Sequence, residues 1–367
     1  MIRVVANLSW LVPGRVGGSE QYTVRLLRAV RDVAPDDINL GVVASSPLLD
    51  AHPDLRDVAV AELGGPMHIR PVRILAESTT VRRATAHADV VHHFGGRVPA
   101  RRAPRAAHVV TVHDLQPIHL PENFSAAKRA YLRWALPRSV DRATLVMTPS
   151  MWVARTVVDE YGVDPARVRA VSSTWDTATD VDDGLAAGLG VGPVVLYPAV
   201  THPHKEHATL IAAVRALAER RPDVRLVLTG GEGRAEAAVT AASRGAPVIR
   251  LGRVSAAQLR ALLGRADVLA FPSCYEGFGL PVIEAMRART PVVARTNGAV
   301  AEVLDGCGTL VETADPGAWA DALDVALAAD EATLDAAATR AEHYAPAVAA
   351  ARLLDAWRVA AGSSTSR

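Results

Sequence analysis

Apolar residues along this 367-residue chain come in short solid runs separated by amphipathic stretches, and the rhythm occurs twice. In the first half, Arg3–Trp10, Ile38–Ala44, Val90–Phe94, His108–Val112 and Leu145–Thr148 read as strands. Helical patterns fill 19–34, 68–87, 125–142 and 150–161. In the second half the strands are Val194–Ala199, Val224–Leu228, Val248–Leu251, Val268–Phe271, Val292–Ala294 and Thr309–Val311. Helices fall near 206–220, 234–244, 255–265, 280–289 and 315–329, and an Ala-rich helical segment closes the chain at about 330–360. In 206–220, Leu210, Ile211, Val214 and Leu217 share one face while Arg215, Glu219 and Arg220 lie opposite. Strands alternating with helices predict an α/β class of doubly wound parallel sheets. The stretch 176–192, rich in Gly, Asp and Thr, is the expected linker. The expected domains are therefore 1–175 and 193–345, with 346–367 as a final helix and tail.

Length agrees with two domains of about 180 residues each. Half the residues are hydrophobic and 22% charged, the balance of a globular protein, and a net charge of +1 gives no global pull toward nucleic acid. Two cysteines, Cys274 and Cys307, support neither a disulfide framework nor a zinc site. No segment approaches the ~18 uninterrupted apolar residues of a membrane span. The N-terminal Met1–Leu11 runs into Gly14-Arg-Val-Gly-Gly18 without a small-residue cleavage site, so it reads as a strand and not a signal peptide. The expected location is cytoplasmic.

The most informative passage is Cys274-Tyr-Glu-Gly-Phe-Gly-Leu-Pro-Val-Ile-Glu-Ala-Met286. It follows the buried run Ala266–Ser273, and Pro281 stands where a first helical turn tolerates proline. The unit is strand, Gly-rich turn, helix N-terminus, with backbone N–H groups at 277–280 and the positive helix end forming an anion site. Glu276 and Glu284 flank it, eight positions apart. A carboxylate pair beside an anion site fits a ligand that offers hydroxyls as well as phosphate, as a nucleoside diphosphate sugar does.

This passage resembles the retaining glycosyltransferases of the GT-B fold, specifically glycosyltransferase family 4 with its Glu-x7-Glu signature. The resemblance implies two Rossmann-like domains facing a central cleft, the first on the acceptor side and the second binding the nucleotide sugar, with the last helix crossing back. It places Glu276 near the donor sugar hydroxyls and Glu284 on the nucleotide ribose. It makes Gly277, Phe278, Gly279 and Leu280 part of the donor site, and no metal or other cofactor is required.

Other segments fall into the same frame. In Val195-Leu-Tyr-Pro-Ala-Val-Thr-His-Pro-His-Lys-Glu-His207, Lys205 precedes a helix at a strand's carboxyl edge. The resemblance gives it the donor diphosphate, together with an Arg that this chain lacks; His202, His204, Arg234 or Arg253 are the candidate substitutes. The His-rich run also invites a metal reading, against which Pro203 breaks helical ligand spacing and no cysteine lies close. After the next strand, Gly230 and Gly231 form a turn expected to let backbone approach the nucleotide, and Arg253 and Val254 match the segment that meets the base. In the first half, Gly17 and Gly18 match the family's glycine loop, whose spacing fails the dinucleotide G-x-G-x-x-G pattern. His113 matches a family His near the donor sugar and incoming acceptor, and Asp114 is placed to orient its loop. The text from 111 to 150 looks most like mannosyltransferases and their bacterial polysaccharide relatives.

Residues 97–142 hold nine Arg or Lys against three acids. Lys128, Arg129, Arg133 and Arg138 with Tyr131, Leu132, Trp134 and Leu136 make a basic, partly amphipathic helix that can meet an anionic lipid surface or an acidic acceptor, or be a solvated face. The combined expectation is a hexosyltransferase using a nucleoside diphosphate sugar, GDP-mannose favoured over UDP or dTDP sugars. Lys205, Glu276 and His113 would be catalytic, and the acceptor a glycan, a lipid-linked sugar or a small molecule. The alternatives are a non-catalytic GT-B subunit, a phosphorylase or an epimerase. Donor sugar, base, acceptor and oligomeric state are not encoded legibly.

Overall fold

A computed structural model describes residues 1–15 and 17–365. The chain divides into two compact units, one of Met1–Thr174 with Pro346–Arg367 and one of Trp175–Ala345. Each is built on one parallel sheet flanked by helices.

The first unit's sheet has seven strands: β1 (Ile2–Asn7), β2 (Ile38–Ser45), β3 (Ala59–Leu63), β4 (Val90–His93), β5 (Ala107–Thr111), β6 (Leu145–Thr148) and β7 (Val168–Ala170), in the order β3-β2-β1-β4-β5-β6-β7. The second has β8 (Val194–Pro198), β9 (Arg225–Thr229), β10 (Val248–Gly252), β11 (Val268–Phe271), β12 (Val292–Arg295) and β13 (Thr309–Val311), ordered β10-β9-β8-β11-β12-β13. All pairings are parallel. The inner strands are the solid Val, Leu and Ile runs, which fits a sheet covered on both faces. Both sheets reverse direction beside their first strand, at β1/β4 and at β8/β11. Such reversal points open a crevice at the carboxyl ends of the strands, where α/β proteins bind ligands.

The structure departs from the expected elements where periodicity is weak. β1 ends at Asn7, because Ser9 and Trp10 turn away to close a loop. Edge strands β3 and β7 went unpredicted: β3 alternates buried and exposed positions, and β7 is three residues long. The helix Gly298–Leu304, capped by Asn297, was also missed. The Ala-rich tail is two helices, Glu331–Ala341 and Pro346–Thr365, separated by a short turn and Pro346. Residues 176–192, read as a linker, cluster with the second unit. Arg260 holds Asp176 and Asp180, and Gln258 holds Asp182.

The helix Pro346–Thr365 belongs to the first unit and packs on the helix Gly18–Val33. Trp357 is fully buried there, its indole N–H donating to His92 Nδ1 at 3.1 Å. No helix among the described residues is long and apolar enough to cross a membrane.

Candidate functional site

In the second unit the loops after β8 and β11 leave from neighbouring strands at the reversal point, and the structure ties them together. Lys205 ends a short turn, Pro203–Lys205, and Glu206 opens the helix His207–Ala218 from a left-handed conformation (φ 53°) unusual for a non-glycine residue. Lys205 Nζ donates to Glu276 Oε1; their side chains are 18% and 15% exposed. Below the pair, Tyr197 on β8 is fully buried. Its hydroxyl donates to the Lys205 carbonyl at 2.8 Å and lies 2.9 Å from Ser273 Oγ; the phenol's one proton being so engaged, Ser273 donates to it. The Cys274 N–H donates to the His204 carbonyl at 2.9 Å, and Asn297 Nδ2 to the Ser273 carbonyl at 3.0 Å. Burial holds the Tyr197 phenol well above its ordinary range, so it stays neutral. Two loops far apart in sequence thus become one rigid platform carrying a cation and a carboxylate.

The helix Leu280–Arg287 starts on this platform. Gly279 sits at φ 104°, a conformation that favours glycine, and a Cβ there would press within 3.3 Å of Val300. Phe278 is buried edge-on against Tyr344, with ring centroids 5.5 Å apart. Among the described residues the backbone N–H groups of Phe278, Gly279 and Leu280 have no protein acceptor. They are the unspent donors of a helix start, with the positive end of the helix dipole behind them. Gly277 lies in the same turn, and Glu284 is half-buried in the helix.

The glycines after β9, expected to let backbone approach the nucleotide, also make room for the chain itself. A Cβ on Gly230 (φ 129°) would lie 2.3 Å from the Ala199 carbonyl oxygen, and one on Gly231 would lie 2.9 Å from the Arg253 guanidinium. Within the chain, their missing side chains let its own backbone and side chains approach closely. Gly233 does the same against Thr201, whose hydroxyl accepts from the Gly233 N–H at 2.7 Å and donates to Glu236 at 2.8 Å. Arg253 is exposed and Val254 half-buried.

Of the candidates for the missing second cation, the histidines bring no charge. His202 and His204 stack with centroids 5.8 Å apart, and burial, aided by neighbouring cations, depresses both, His204 to about 3. Arg234 and Arg253 are the cations on this edge; the Arg234 N–H meets His202 Nδ1 at 3.4 Å.

Gly17, Gly18 and His113 lie in the first unit. Gly17 has φ 57° with open space around its missing Cβ, and Gly18 begins the helix Gly18–Val33. The loop is anchored by a residue the sequence did not single out. Glu20, nearly buried, accepts from the Gly14 N–H at 2.8 Å and from His52 Nε2 at 2.9 Å. His113 donates from Nε2 to the Phe94 carbonyl at 2.7 Å and packs against Trp10 and Tyr22. Burial lowers it to about 4, so it is neutral at ordinary pH and its Nδ1 is the ring's acceptor. Asp114 Oδ1 accepts from the Gln116 N–H at 2.9 Å, a turn within the loop.

Three further histidines, buried and unremarked in sequence, form directed hydrogen-bond chains. Asn7 donates to His93, His93 to His108 at 3.0 Å, and His108 to the Ala103 carbonyl at 2.9 Å. Trp357 donates to His92, which donates to Thr111 at 2.8 Å. Burial keeps all three neutral.

In the basic segment the helix Ala126–Arg142 leaves Trp134 53% exposed, with Arg138 over its ring. Among the described residues no three His, Cys, Asp or Glu side chains group closely enough to hold a metal ion.

Two doubly wound units, the second with a cation, two carboxylates and an open helix start beside its reversal point, present a site suited to an anionic ligand. Residues 16–179 match the family described as Glycosyltransferase Family 4, and residues 192–329 match Glycosyl transferases group 1. The O-antigen chain mannosyltransferase RfbU of Salmonella typhimurium is 25% identical, over 87% of this chain and 90% of its own length. A D-inositol 3-phosphate glycosyltransferase of Mycolicibacterium vanbaalenii is 31% identical, over 73% of this chain and 67% of its own. The structure of Anabaena Alr3699/HepE in complex with UDP and glucose superposes with a TM-score of 0.72 at 19% identity, covering 97% of this chain and 99% of that one. The chain belongs to glycosyltransferase family 4 and is a glycosyltransferase of the GT-B type.

Proposed function

We propose that this glycosyltransferase moves a hexosyl unit from a nucleoside diphosphate sugar to an acceptor hydroxyl, with retention of configuration and without a metal ion. GDP-mannose is the favoured donor, on the strength of the mannosyltransferase relative; UDP and dTDP sugars come next, and the nucleotide in the Anabaena structure is UDP. The observation that carries the proposal is the meeting of Lys205 and Glu276 at the β8/β11 reversal point, beside the unspent N–H groups of 278–280.

The donor diphosphate binds at that helix start and competes with Glu276 for the Lys205 ammonium. The N–H groups and Lys205 then stabilise the negative charge that builds on the diphosphate as the glycosidic bond breaks. Preorganised donors do this without reorganising at the moment of reaction, and the charge they supply makes a metal unnecessary. Glu276 accepts from the donor sugar's hydroxyls and Glu284 from the ribose. The acceptor hydroxyl, received on the first unit near His113, attacks on the face from which the diphosphate departs and passes its proton to the departing phosphate oxygen, so no side-chain nucleophile is used. His113 offers a neutral Nδ1 lone pair to a hydroxyl there.

The test is nucleoside diphosphate release from a panel of GDP, UDP and dTDP sugars, with and without EDTA. Lys205→Ala lowers turnover more than tenfold, Glu284→Ala mainly raises donor KM, and EDTA changes nothing. Unchanged donor kinetics in both variants would sink the assignment.

A further inference from the structure

The first sheet has its own reversal point, at β1/β4, and the loops leaving it meet two helices that carry cations and unspent donors. Ser9 and Trp10 follow β1, and Gly95 and Arg97 follow β4. They meet the helix Arg70–Ala76, which runs on into a π-helical turn at Glu77–Val81, a local irregularity that recurs at functional sites. The helix Ala126–Arg142 contributes Tyr131.

Glu77 is 4% exposed and already engaged, accepting from Ser9 Oγ at 3.2 Å and from Arg97. Arg70 sits over the Tyr131 ring, 4.0 Å from its centroid. Arg73 feels the charges of Glu77, Arg97 and Arg70, and the Tyr131 phenol. Among the described residues neither Arg70 nor Arg73 has a carboxylate within salt-bridge distance. Arg73 Nε, Tyr131 Oη and Trp10 Nε1 are buried with no hydrogen-bond partner. Trp10 has little freedom to find one, since a Cβ on Gly95 would stand 2.3 Å from its ring.

Arg73 and Arg97 thus face one glutamate, Arg70 lies over the neighbouring Tyr131 ring, and donors from three elements are left unpaired. Buried polar groups are paired in folded proteins, so the orphaned Arg73 Nε and Tyr131 Oη, beside the Arg70 guanidinium, point to a ligand that accepts from all three. Two guanidiniums and a phenol offer more donors than a carboxylate's two oxygens use, whereas a phosphomonoester has three oxygens and close to two negative charges.

We infer that the acceptor of the transfer carries a phosphomonoester, held by Arg70, Arg73 and Tyr131. This rests on the proposal above that the first unit receives the acceptor. The phosphate belongs either to a soluble phosphorylated polyol or to a lipid headgroup.

The experiment is titration calorimetry of the full chain with glycerol 3-phosphate against glycerol, and sedimentation with phosphatidylcholine vesicles with and without phosphatidic acid. The variants are Arg73→Leu, Arg73→Lys, Tyr131→Phe and Lys205→Ala. Glycerol 3-phosphate binds and glycerol does not; Arg73→Leu weakens binding about tenfold or more, the loss expected for a charge-assisted bond. Tyr131→Phe weakens it several-fold, and Lys205→Ala leaves it within twofold. Arg73→Lys keeps the charge but loses the Nε donor and the fork, and falls between; with Tyr131→Phe it carries the test if Arg73→Leu does not fold. Binding to phosphatidic acid vesicles alone, with the same dependence on Arg73, supports the lipid source. Binding of neither phosphomonoester, or binding indifferent to Arg73, overturns the inference. GDP and UDP titrations on the same proteins depend on Lys205 and not Arg73, so failure of the donor assignment and failure of the phosphate site remain distinguishable.

Discussion

Tyr197→Phe deletes one oxygen from the centre of the platform that carries Lys205. That oxygen donates to the Lys205 carbonyl at 2.8 Å and stands 2.9 Å from Ser273 Oγ, and both Tyr197 and Ser273 are fully buried. Phe fits the same volume, so no cavity opens and the cost is polar. One net hydrogen bond is worth about 1 kcal/mol, and leaving a buried hydroxyl and carbonyl short of a partner adds about 1–2 kcal/mol more. The expected loss is about 2–3 kcal/mol, or about 5–10 °C in melting temperature for a unit of this size. Lys205 loses the bond that fixes its backbone, so nucleoside diphosphate affinity falls about tenfold while the fold persists. Scanning calorimetry with and without nucleotide measures both effects. A variant that melts within about 1 °C of the parent and binds nucleotide equally well would refute the claim that this hydroxyl joins the two loops.

Three further outcomes follow from named contacts. Gly230→Ala must place a Cβ 2.3 Å from the Ala199 oxygen at φ 129°, and destabilises by about 3 kcal/mol or more, measurable by urea denaturation. Trp357→Phe strands His92 Nδ1 and costs about 1–2 kcal/mol, with faster amide exchange in the helix Pro346–Thr365 as the readout. His108 and His207, both buried, are lowered to about 4. They are neutral in the fold where the unfolded chain would protonate them, so stability is full above pH about 6.5. It falls by about 3 kcal/mol per group as pH drops toward about 4, and a chemical-denaturation series across that range shows the decline.

How much of this could be read in advance depends on what kind of signal each part leaves. The inner strands, the helix faces and the turn from Cys274 to Met286 are written in local pattern, and the parallel two-sheet architecture with them. Edge strands β3 and β7 were illegible because half-exposed or three-residue segments lack a solid apolar run. Lys205 and Glu276 were each nameable, but their ion pair joins residues 71 apart and is a property of strand order. Tyr197 passed as one more apolar residue of its strand; the only clue was that a buried phenol needs a partner. Glycines mark close approach without saying to what, and no spacing rule foretells that Gly230 and Gly231 accommodate Ala199 and Arg253. Arg70, Arg73, Trp10 and Tyr131 come from three separate stretches of chain, and no spacing rule links them.

The most direct measurement is the melting temperature of the purified protein with GDP, UDP and dTDP, each with and without its common sugars, beside Lys205→Ala. A ligand that binds only the native state must raise stability. The expected result is a shift of several degrees selective for one base and lost in the variant. No shift with any nucleotide, in a folded sample, would contradict a donor site at Lys205 and Glu276.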